Sequence, residues 1–534
     1  MRDPERTALR RPRPIPGETA LFFIAAVAVF VTNLMLWGFD TPPLIDWPNH
    51  MARHVLQCGA AGADHIARYY TYALEIVPNL TSDLIHTWPA ACANLELTQK
   101  VLIQIASFGL FAATAVLHRT IWGAWSLWPL IAVMVMHNMT WAFGFENFAL
   151  AAPAAILVLA LWFALTTRSA LVRLAMIWPC AVLVYVMHLY AFGFIVLMIG
   201  FLELHDVTHA RATRAAVFRR AGMVLVVALI PAIHLISALQ SSPELEAGGI
   251  DFGTPAQFLT AFVAPFASFG LFASTAETVL AGVLGLGVTV GVILALKATR
   301  LRISLDPRVR FALPAMVLIT LLVPYYFSGI AYTNMRFPVL LVPVAIAAMR
   351  VDFTPRALWM FAGTMVVLLA AKMLWLTDKW ALHDAQVAEL RAAAAVLSPN
   401  DRLLVTRHEQ SQTVRLHSHS AAYILRDRGP YWTGVFTGGN AISPLPAYAQ
   451  RDKTHLFPIP WQVLMPVHQD HEVFEAGSYL EDWSAFYTHT LVLFAPEDAQ
   501  GARAEGLHNL GLPLASGSFF EILEFHPVAQ AQRD

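Results

Sequence analysis

The sequence predicts a polytopic α-helical membrane protein that carries a small α/β domain at its C-terminal end. Only 13% of its 534 residues are charged and 57% are hydrophobic, whereas about a quarter of the residues in a soluble domain are charged. Long apolar runs recur as far as about residue 377 and stop there. Most of the chain is therefore dissolved in lipid. A net charge of −1 argues against nucleic acid as a partner.

The apolar runs predict about eleven membrane-spanning helices. A helix needs about 20 residues to cross the hydrocarbon core of a bilayer upright, and several of these runs are shorter. The stretches 171–204 and 311–349 can each be counted one helix differently. The predicted spans lie near residues 18–38, 98–117, 121–137, 149–166, 171–188, 190–204, 221–239, 277–297, 311–329, 338–349 and 357–376.

The arginines predict how these spans are oriented. Arginine-rich stretches precede the first span and then follow every second span, and such stretches favour the cytoplasmic side of a membrane. The N-terminus is then cytoplasmic, and the long first loop, 39–97, lies on the outer side. We expect two domains, a transmembrane domain at 1–377 and an outer α/β domain at 378–534.

The tail after residue 377 has the pattern of a small α/β fold. It opens with a helical stretch, DAQVAELRAAAAVL, and then contains three strand-like runs, RLLVT, THTLVLF and FFEILEF. Two histidine-rich stretches, HSHS at 417–420 and HQDHE at 468–472, lack a regular spacing of metal ligands. We interpret both as solvated surface.

Two of the three cysteines fall in the first outer loop. An oxidising compartment would permit a disulfide between Cys58 and Cys92. The sequence equally permits two free thiols, so both interpretations stay open. Cys180 lies within a predicted span, where packing accounts for it.

A short polar cluster follows the first span, in the segment GFDTPPLIDWPNHMARH. After Asp46, His50, Arg53 and His54 follow at i+4, i+7 and i+8, a spacing that places side chains on one face of a helix. Asp46 also stands where an aspartate would cap that helix. A capping carboxylate can still act as a general base if one oxygen faces the substrate. Asp40 supplies a second carboxylate nearby.

Two binding functions are open for this cluster. Arg53 and His50 can donate hydrogen bonds to a phosphate, for which arginine offers a bidentate fork. The D-x3-H-x3-H spacing from Asp46 to His54 also suits a divalent metal, although it needs a further ligand from elsewhere. We assign no metal ligands and keep a divalent ion as the alternative.

Three further candidates lie on the same predicted outer side. Glu146, in HNMTWAFGFENF, is a functional group or marks the water boundary, and Gly144 before it allows a close backbone approach. Arg336, in YTNMRFPVLLVP, violates the positive-inside bias, so it pairs with an anion or snorkels to the interface. His188, in VMHLYAFGF, is an interfacial histidine or a further donor. Such convergence predicts one site facing the outer compartment.

Two stretches resemble a known superfamily. PPLIDWPNHMAR is similar to a P-x-x-D-[YW]-P-N-H-x-A-R pattern of uncharacterised bacterial members of the GT-C superfamily of polytopic glycosyltransferases, and RFPVLLVP resembles their late R-Y-x-x-P-x-x-P run. The superfamily includes protein O-mannosyltransferases and the lipid A aminoarabinose transferase. By position, the resemblance implies a catalytic carboxylate at Asp46, a second acidic residue at Glu146 and a contact with the carrier phosphate at Arg336. Many members pair two adjacent acidic residues, whereas Trp47 follows Asp46 here, which leaves Asp40 as a partner.

The resemblance implies a GT-C-like fold of about 11 transmembrane helices with a small periplasmic α/β domain, set in a bacterial inner membrane. It also implies inverting transfer of a sugar from a polyprenyl-phosphate carrier to a glycan, lipid or protein on the periplasmic face. Two alternatives stay open: a transporter or flippase of a lipid-linked substrate, and a non-catalytic envelope assembly protein. The expected catalytic residues are Asp46, Asp40 and Glu146, and the expected phosphate-binding residues are Arg336, Arg53, His50 and His188.

Overall fold

The computed structural model describes most of the chain. The predicted histidine-rich stretch at 468–472 and the arginines that precede the first span lie outside the described residues. The described residues are 15–74, 78–209, 213–241, 249–267, 275–327, 330–409, 411–437, 442–451, 458–465 and 479–525.

Helices make up most of the described residues before residue 400. Their apolar stretches are rich in alanine and leucine, which lose little side-chain freedom in a helix. The α-helices are α1 (Glu18–Asn33), α2 (Trp47–Cys58), α3 (Ala63–Ala67), α4 (Thr81–Ile85), α5 (Pro89–Ala93), α6 (Leu95–Trp122), α7 (Met139–Ala142), α8 (Glu146–Ala164), α9 (Ala170–Met187), α10 (Leu189–His209), α11 (Arg214–Ser241), α12 (Pro255–Val263), α13 (Thr275–Ala298), α14 (Pro307–Leu322), α15 (Arg336–Ala348), α16 (Pro355–Ala393), α17 (Gln412–His417), α18 (Ala421–Arg428), α19 (Trp483–Phe486) and α20 (Ala499–Ala504).

Seven helices within the described residues are long and apolar enough to cross a membrane. Two shorter apolar helices, Pro255–Phe266 and Thr333–Ala348, accompany them. The predicted fold class, a polytopic helical membrane protein, is confirmed. The seven are Glu18–Gly38, Leu95–Trp122, Glu146–Ala164, Ala170–Met187, Leu189–His209, Val279–Ala298 and Pro355–Val396.

The third predicted span is not an α-helix. Its centre forms a buried seven-residue 3-10 helix, Trp128–Met134. Just before it, the N–H of Leu127 donates to the Glu18 carboxylate at 3.1 Å, and just after it His137 bonds to Asn33 at 2.7 Å. The segment therefore runs beside the whole of α1. Because a 3-10 helix rises about 2 Å per residue against 1.5 Å for an α-helix, fewer residues cover that length.

Neighbouring helices satisfy the backbone of this irregular segment. The Nζ of Lys372, on α16, donates to the carbonyl of Val133 at 3.0 Å. The carboxylate of Glu18, on α1, accepts the backbone N–H of Leu127, whereas the indole N–H of Trp128 is a side-chain donor to the carbonyl of Ile346, on α15, at 2.9 Å. Non-helical backbone at membrane depth is stable only where protein supplies such partners. The prediction of a membrane-spanning α-helix at 121–137 is therefore wrong in conformation, because Trp128–Met134 form a 3-10 helix.

The membrane helices pack around α6, which contacts α8 and α15. Leu110 and Phe111 of α6 are each 1% exposed. Peripheral helices instead present apolar side chains outward, such as Leu280 and Leu284 on α13. In lipid, close van der Waals packing holds such helices together, because apolar burial adds little.

The tail forms a six-stranded sheet flanked by short helices, as the sequence predicts. The strands run in the order β11-β12-β10-β6-β7, with β9 paired to β6. The β6–β10 pair is parallel, and β10–β12 and β11–β12 are antiparallel. The strands of the chain are β1 (Tyr70–Tyr72), β2 (Ile250–Asp251), β3 (Arg302–Leu305), β4 (Tyr326–Phe327), β5 (Met349–Asp352), β6 (Arg402–Arg407), β7 (Tyr431–Trp432), β8 (Ile442–Pro444), β9 (Ile459–Pro460), β10 (His489–Leu493), β11 (Gly511–Ser516) and β12 (Phe520–Phe525).

The first outer loop and the tail are joined directly. Strand β1 of the loop pairs antiparallel with β8 of the tail. The Tyr70 hydroxyl donates to the Trp432 carbonyl at 2.5 Å, and the Tyr69 hydroxyl reaches the carbonyls of Pro399 and Gly429 at 2.8 Å. The expected boundary between residues 377 and 378 falls inside the continuous helix α16. The tail therefore packs on the loop that carries Asp46.

Candidate active site

Asp46 lies at the start of helix α2 with its carboxylate unused by the helix. Its backbone N–H donates to the carbonyl of Phe143 at 2.9 Å. It occupies the N-cap position, yet its side chain accepts no capping hydrogen bond. About 17% of the side-chain surface is exposed. The carboxylate is therefore available to a ligand, and capping, the structural alternative, does not account for it.

Gly144 permits this contact between the α7–α8 turn and α2. Its φ of +78° lies in the left-handed region that side chains disfavour. A Cβ atom there would lie 3.0 Å from the backbone nitrogen of Asp46 and 3.2 Å from that of Trp47. The close backbone approach predicted for Gly144 is thus present, and it fixes the position of Asp46.

Arg336 is the first residue of α15 and is 5% exposed. Its guanidinium lies 5.0 Å from the ring centroids of both Phe145 and Tyr190. One weak hydrogen bond links its Nη1 to the carbonyl of Ala331 at 3.5 Å, and its Nε has no hydrogen-bond partner among the described residues. Two aromatic faces thus hold a cation whose donors are mostly unused, as an anion-binding group requires.

His188 supports this arginine from the junction of α9 and α10. Its Nδ1 accepts the backbone N–H of Tyr190 at 3.1 Å, and its ring meets the edge of Phe148 at 5.0 Å. Tyr190 is one of the two rings that contact Arg336. The contacts of His188 therefore place it as a neighbour of the arginine.

Glu146 binds the inner face of α2. Its Oε2 lies 3.6 Å from Nδ1 of His50 and 3.4 Å from Nε2 of His54. His54 stacks on His86 with a centroid distance of 4.0 Å. Glu146 is 8% exposed, so it lies below the surface and fixes α2 against α8.

Arg53 is held in a buried ion pair. Its Nε lies 3.1 Å from Oδ1 of Asp83, and the two side chains are 2% and 0% exposed. Its Nη2 also donates to Nδ1 of His50 at 3.1 Å. An arginine engaged in this way has little freedom to bind a phosphate, and it shields His50 from one side.

Asp40 lies apart from these residues. Its carboxylate is 84% exposed, and its ion-pair partner is Lys100 at 3.5 Å. The structure therefore brings Asp46, Glu146 and His50 into one region with Arg336 nearby, and leaves Asp40 at the surface. Asp40 has neither the burial nor the contacts of a reacting group.

The tail supplies a residue that the sequence interpretation missed. His417, Ser418, His419 and Ser420 are all buried, so the interpretation of HSHS as solvated surface is wrong. His419 is 2% exposed, and its Nε2 lies 3.7 Å from Oδ1 of Asp46. The only sequence signal was histidine recurrence in the tail, because no local pattern indicates a contact across more than 370 positions.

Burial controls the protonation of this region. It raises the pKa of Asp46 to about 8, although the positive charge of Arg336 acts in the opposite direction. It lowers the pKa of His50 to about 3, together with the charge of Arg53. Burial likewise lowers the pKa of His419 to about 3. Near neutral pH both histidines are therefore uncharged, and Asp46 titrates close to the working range.

The described residues do not assemble the metal site that the D-x3-H-x3-H spacing allowed. No three His, Cys, Asp or Glu side chains within the described part of the chain are grouped to hold an ion. Asp46 faces His419, whereas His50 and His54 face Glu146.

No known protein family matches the sequence, and no curated protein matches it. Four chains of solved structures match the fold. One is ArnT from Cupriavidus metallidurans, crystallised in the apo state, at 12% identity and a TM-score of 0.49. The match covers 96% of this chain and 98% of that chain. At this identity and TM-score the match carries no argument about family or activity.

Proposed function

We propose that the protein is a membrane glycosyltransferase of the GT-C type. It would transfer a sugar from a polyprenyl-phosphate carrier to an envelope acceptor on the periplasmic face. The observation that carries this proposal is the uncommitted carboxylate of Asp46, which lies within electrostatic range of the mostly unpaired Arg336. A base beside an anion-binding cation is what such a transfer needs.

Asp46 is the proposed general base. An acceptor hydroxyl or amine becomes a better nucleophile when a carboxylate removes its proton. A base works best when its pKa is near the working pH, and burial raises the pKa of Asp46 to about 8. The acceptor then attacks the anomeric carbon opposite the departing phosphate, which inverts the configuration.

Arg336 is the proposed partner of the carrier phosphate. The phosphate gains negative charge as the sugar leaves, and a fixed cation in a water-poor site stabilises that charge. The rings of Phe145 and Tyr190 hold the guanidinium in place, so little reorganisation is needed. His188 would keep Tyr190 in position through its backbone hydrogen bond.

Glu146 and Arg53 have supporting roles in this proposal. Glu146 contacts both histidines of α2, and Arg53 ties the same helix to Asp83. Both therefore control the placement of α2, and through it the placement of Asp46.

The proposed location is a bacterial inner membrane, with a cytoplasmic N-terminus and the tail in the periplasm. Arg336 and Arg350 flank α15, so they lie at opposite ends of one apolar helix. The guanidinium of Arg350 lies 5.7 Å from the ring centroid of Trp122, the last residue of α6, so the C-terminal ends of α15 and α6 lie together. The disulfide between Cys58 and Cys92 supports an oxidising compartment for the first loop.

The test uses membranes that contain the protein and a set of labelled polyprenyl-phosphate sugars. Wild type is compared with Asp46→Asn and with the matched control Asp40→Asn, which removes an exposed carboxylate six residues away. We expect Asp46→Asn to lower transfer by roughly 10²- to 10⁴-fold, the usual contribution of a general base, and Asp40→Asn to retain it.

Equal transfer by wild type and Asp46→Asn, at equal protein levels, would reject Asp46 as the base. Label that crosses the membrane without joining an acceptor would indicate a flippase. No label movement at all, combined with a cellular phenotype that needs only the tail, would indicate an assembly protein.

A further inference from the structure

The carboxylate of Asp46 meets one side chain from the tail. His419 precedes α18, which packs on α2, and its Nε2 lies 3.7 Å from Oδ1 of Asp46. Only 2% of His419 is exposed. The histidine is therefore held by the protein interior on both sides, and the contact joins the tail to the loop.

Hydrogen bonding determines which nitrogen of His419 carries the proton. The Nδ1 atom is buried and has no hydrogen-bond partner among the described residues. A proton on Nδ1 would leave a buried donor unsatisfied, which is costly. A proton on Nε2 instead points at a carboxylate oxygen, and an unpaired acceptor at Nδ1 costs less. The neutral ring therefore donates from Nε2 towards Asp46.

A second contact holds the ring in place. The side-chain amide of Asn49, on α2, donates to the carbonyl of Gly434 at 3.1 Å and accepts the backbone N–H of Phe436 at 3.2 Å. The ring of Phe436 meets His419 edge-on at 5.0 Å and His50 at 5.9 Å. One tail segment thus separates the two histidines and limits the movement of His419.

We propose that His419 is a positioning residue whose Nε2–H faces Oδ1 of Asp46 at 3.7 Å, so that the tail completes the active site. The second oxygen of Asp46 is then left to face the acceptor. The role of that oxygen as a base rests on the proposed function, whereas the contact itself does not. The tail thereby becomes part of the reaction centre.

The contact has a measurable electrostatic consequence. A donor directed at a carboxylate stabilises its charged form and lowers its pKa. The groups that face Asp46 or its neighbours are Arg336 from α15, His419 from the tail, His50 one turn along α2 and Glu146 from α8. Of these, Arg336 favours ionised Asp46 through its charge. The neutral ring of His419 adds only the dipole of the Nε2–H that faces Oδ1, and removal of His419 deletes that dipole.

The experiment measures the titration of Asp46 directly, in purified protein held in lipid nanodiscs. Infrared difference spectra follow the C=O stretch of the protonated carboxyl group, and Asp46→Asn identifies the band. We expect the wild-type midpoint near pH 8. His419→Leu should raise the midpoint by up to about one pH unit. His419→Gln retains a donor near the Nε2 position, so its midpoint should return most of the way to the wild-type value.

His417→Leu is the control for damage to the tail. His417 is also buried, and it bonds Ser420 at 3.1 Å and Gln386 at 3.1 Å without contacting Asp46. This variant should lower stability and leave the midpoint near the wild-type value. An unchanged midpoint in folded His419→Leu, or the same shift in His417→Leu, would overturn the positioning role.

The transfer assay separates this inference from the proposed function. If Asp46 titrates and shifts as expected but no sugar is transferred, the contact stands and the proposed activity fails. If transfer depends on Asp46 while His419→Leu changes neither the midpoint nor the pH profile of kcat/KM, the activity stands and the positioning role fails.

Discussion

Replacement of Arg336 is the sharpest test of how the site would handle a phosphate. Arg336→Gln keeps a polar side chain and removes the positive charge between Phe145 and Tyr190. Arg336→Lys keeps the charge but loses the planar fork and its stacking on the two rings. Comparison of these two variants therefore separates the effect of the positive charge from the effect of side-chain geometry at one buried position.

The two variants should lower kcat by different amounts. A fixed group that stabilises developing charge in a water-poor site contributes about 3–4 kcal/mol, or roughly 10²- to 10³-fold in kcat. We expect Arg336→Gln to lose that amount. Lysine should lose about 1 kcal/mol of stacking at each of the two rings, or about 2 kcal/mol in total, so Arg336→Lys should lower kcat roughly 30-fold.

Arg336 should also control the pH profile. A general base acts when ionised, so kcat/KM rises with pH and levels off above the pKa of Asp46, about 8. The charge of Arg336 favours the ionised carboxylate. Arg336→Gln therefore moves the rise to higher pH, and Arg336→Lys leaves it near the wild-type position.

Initial rates of sugar transfer between pH 6 and 10 measure both effects, with protein amounts matched by immunoblot. Arg356→Gln serves as the control, because Arg356 is an exposed arginine near the start of α16, and it should match wild type. The reasoning would be refuted if Arg336→Gln kept both the wild-type kcat and the wild-type pH profile.

Two further changes test the scaffold around Asp46. Gly144→Ala places a Cβ 3.0 Å from the nitrogen of Asp46 at a φ of +78°, so it should destabilise the protein by about 1–3 kcal/mol; an unchanged thermal unfolding temperature would contradict this. Arg53→Leu leaves the buried Asp83 charge uncompensated and should cost about 3–5 kcal/mol. The double variant with Asp83→Leu should recover most of that loss, whereas additive losses would show that the pair does not act as a unit.

Much of the membrane region was predictable because helix formation and lipid burial are local properties. Each predicted span except 121–137 contains an α-helix over most of its length, although the helix in 311–329 ends at Leu322 and the span 18–38 ends in a 3-10 helix. That exception is equally apolar, but its backbone bonds to the side chains of Lys372 and Glu18, and the side chain of His137 bonds to Asn33 at the end of α1. Composition measures how a segment partitions into lipid, whereas the choice of a 3-10 helix depended on groups elsewhere in the chain.

The candidate site was predictable to a similar extent. Glu146 and Arg336 each lie at the start of an apolar helix, and Asp46 lies at the start of a helix in the first outer loop, so the apolar pattern predicts that all three lie on the same side of the membrane. The same reasoning accepted Arg53 as a phosphate-binding residue and Asp40 as a catalytic one. It had no means to see that Asp83 neutralises Arg53 or that Asp40 is turned to solvent beside Lys100.

The sequence alone predicts a many-helix membrane protein with a small α/β tail, and it predicts that Asp46, Glu146 and Arg336 lie on the same side of the membrane. Those properties follow from apolar run length, helical period and charge placement, which act over short distances. Tertiary structure alone decided that His419 meets Asp46 and that Asn49 holds the tail segment over the site. Such contacts join positions hundreds of residues apart, and packing geometry rather than local preference selects them.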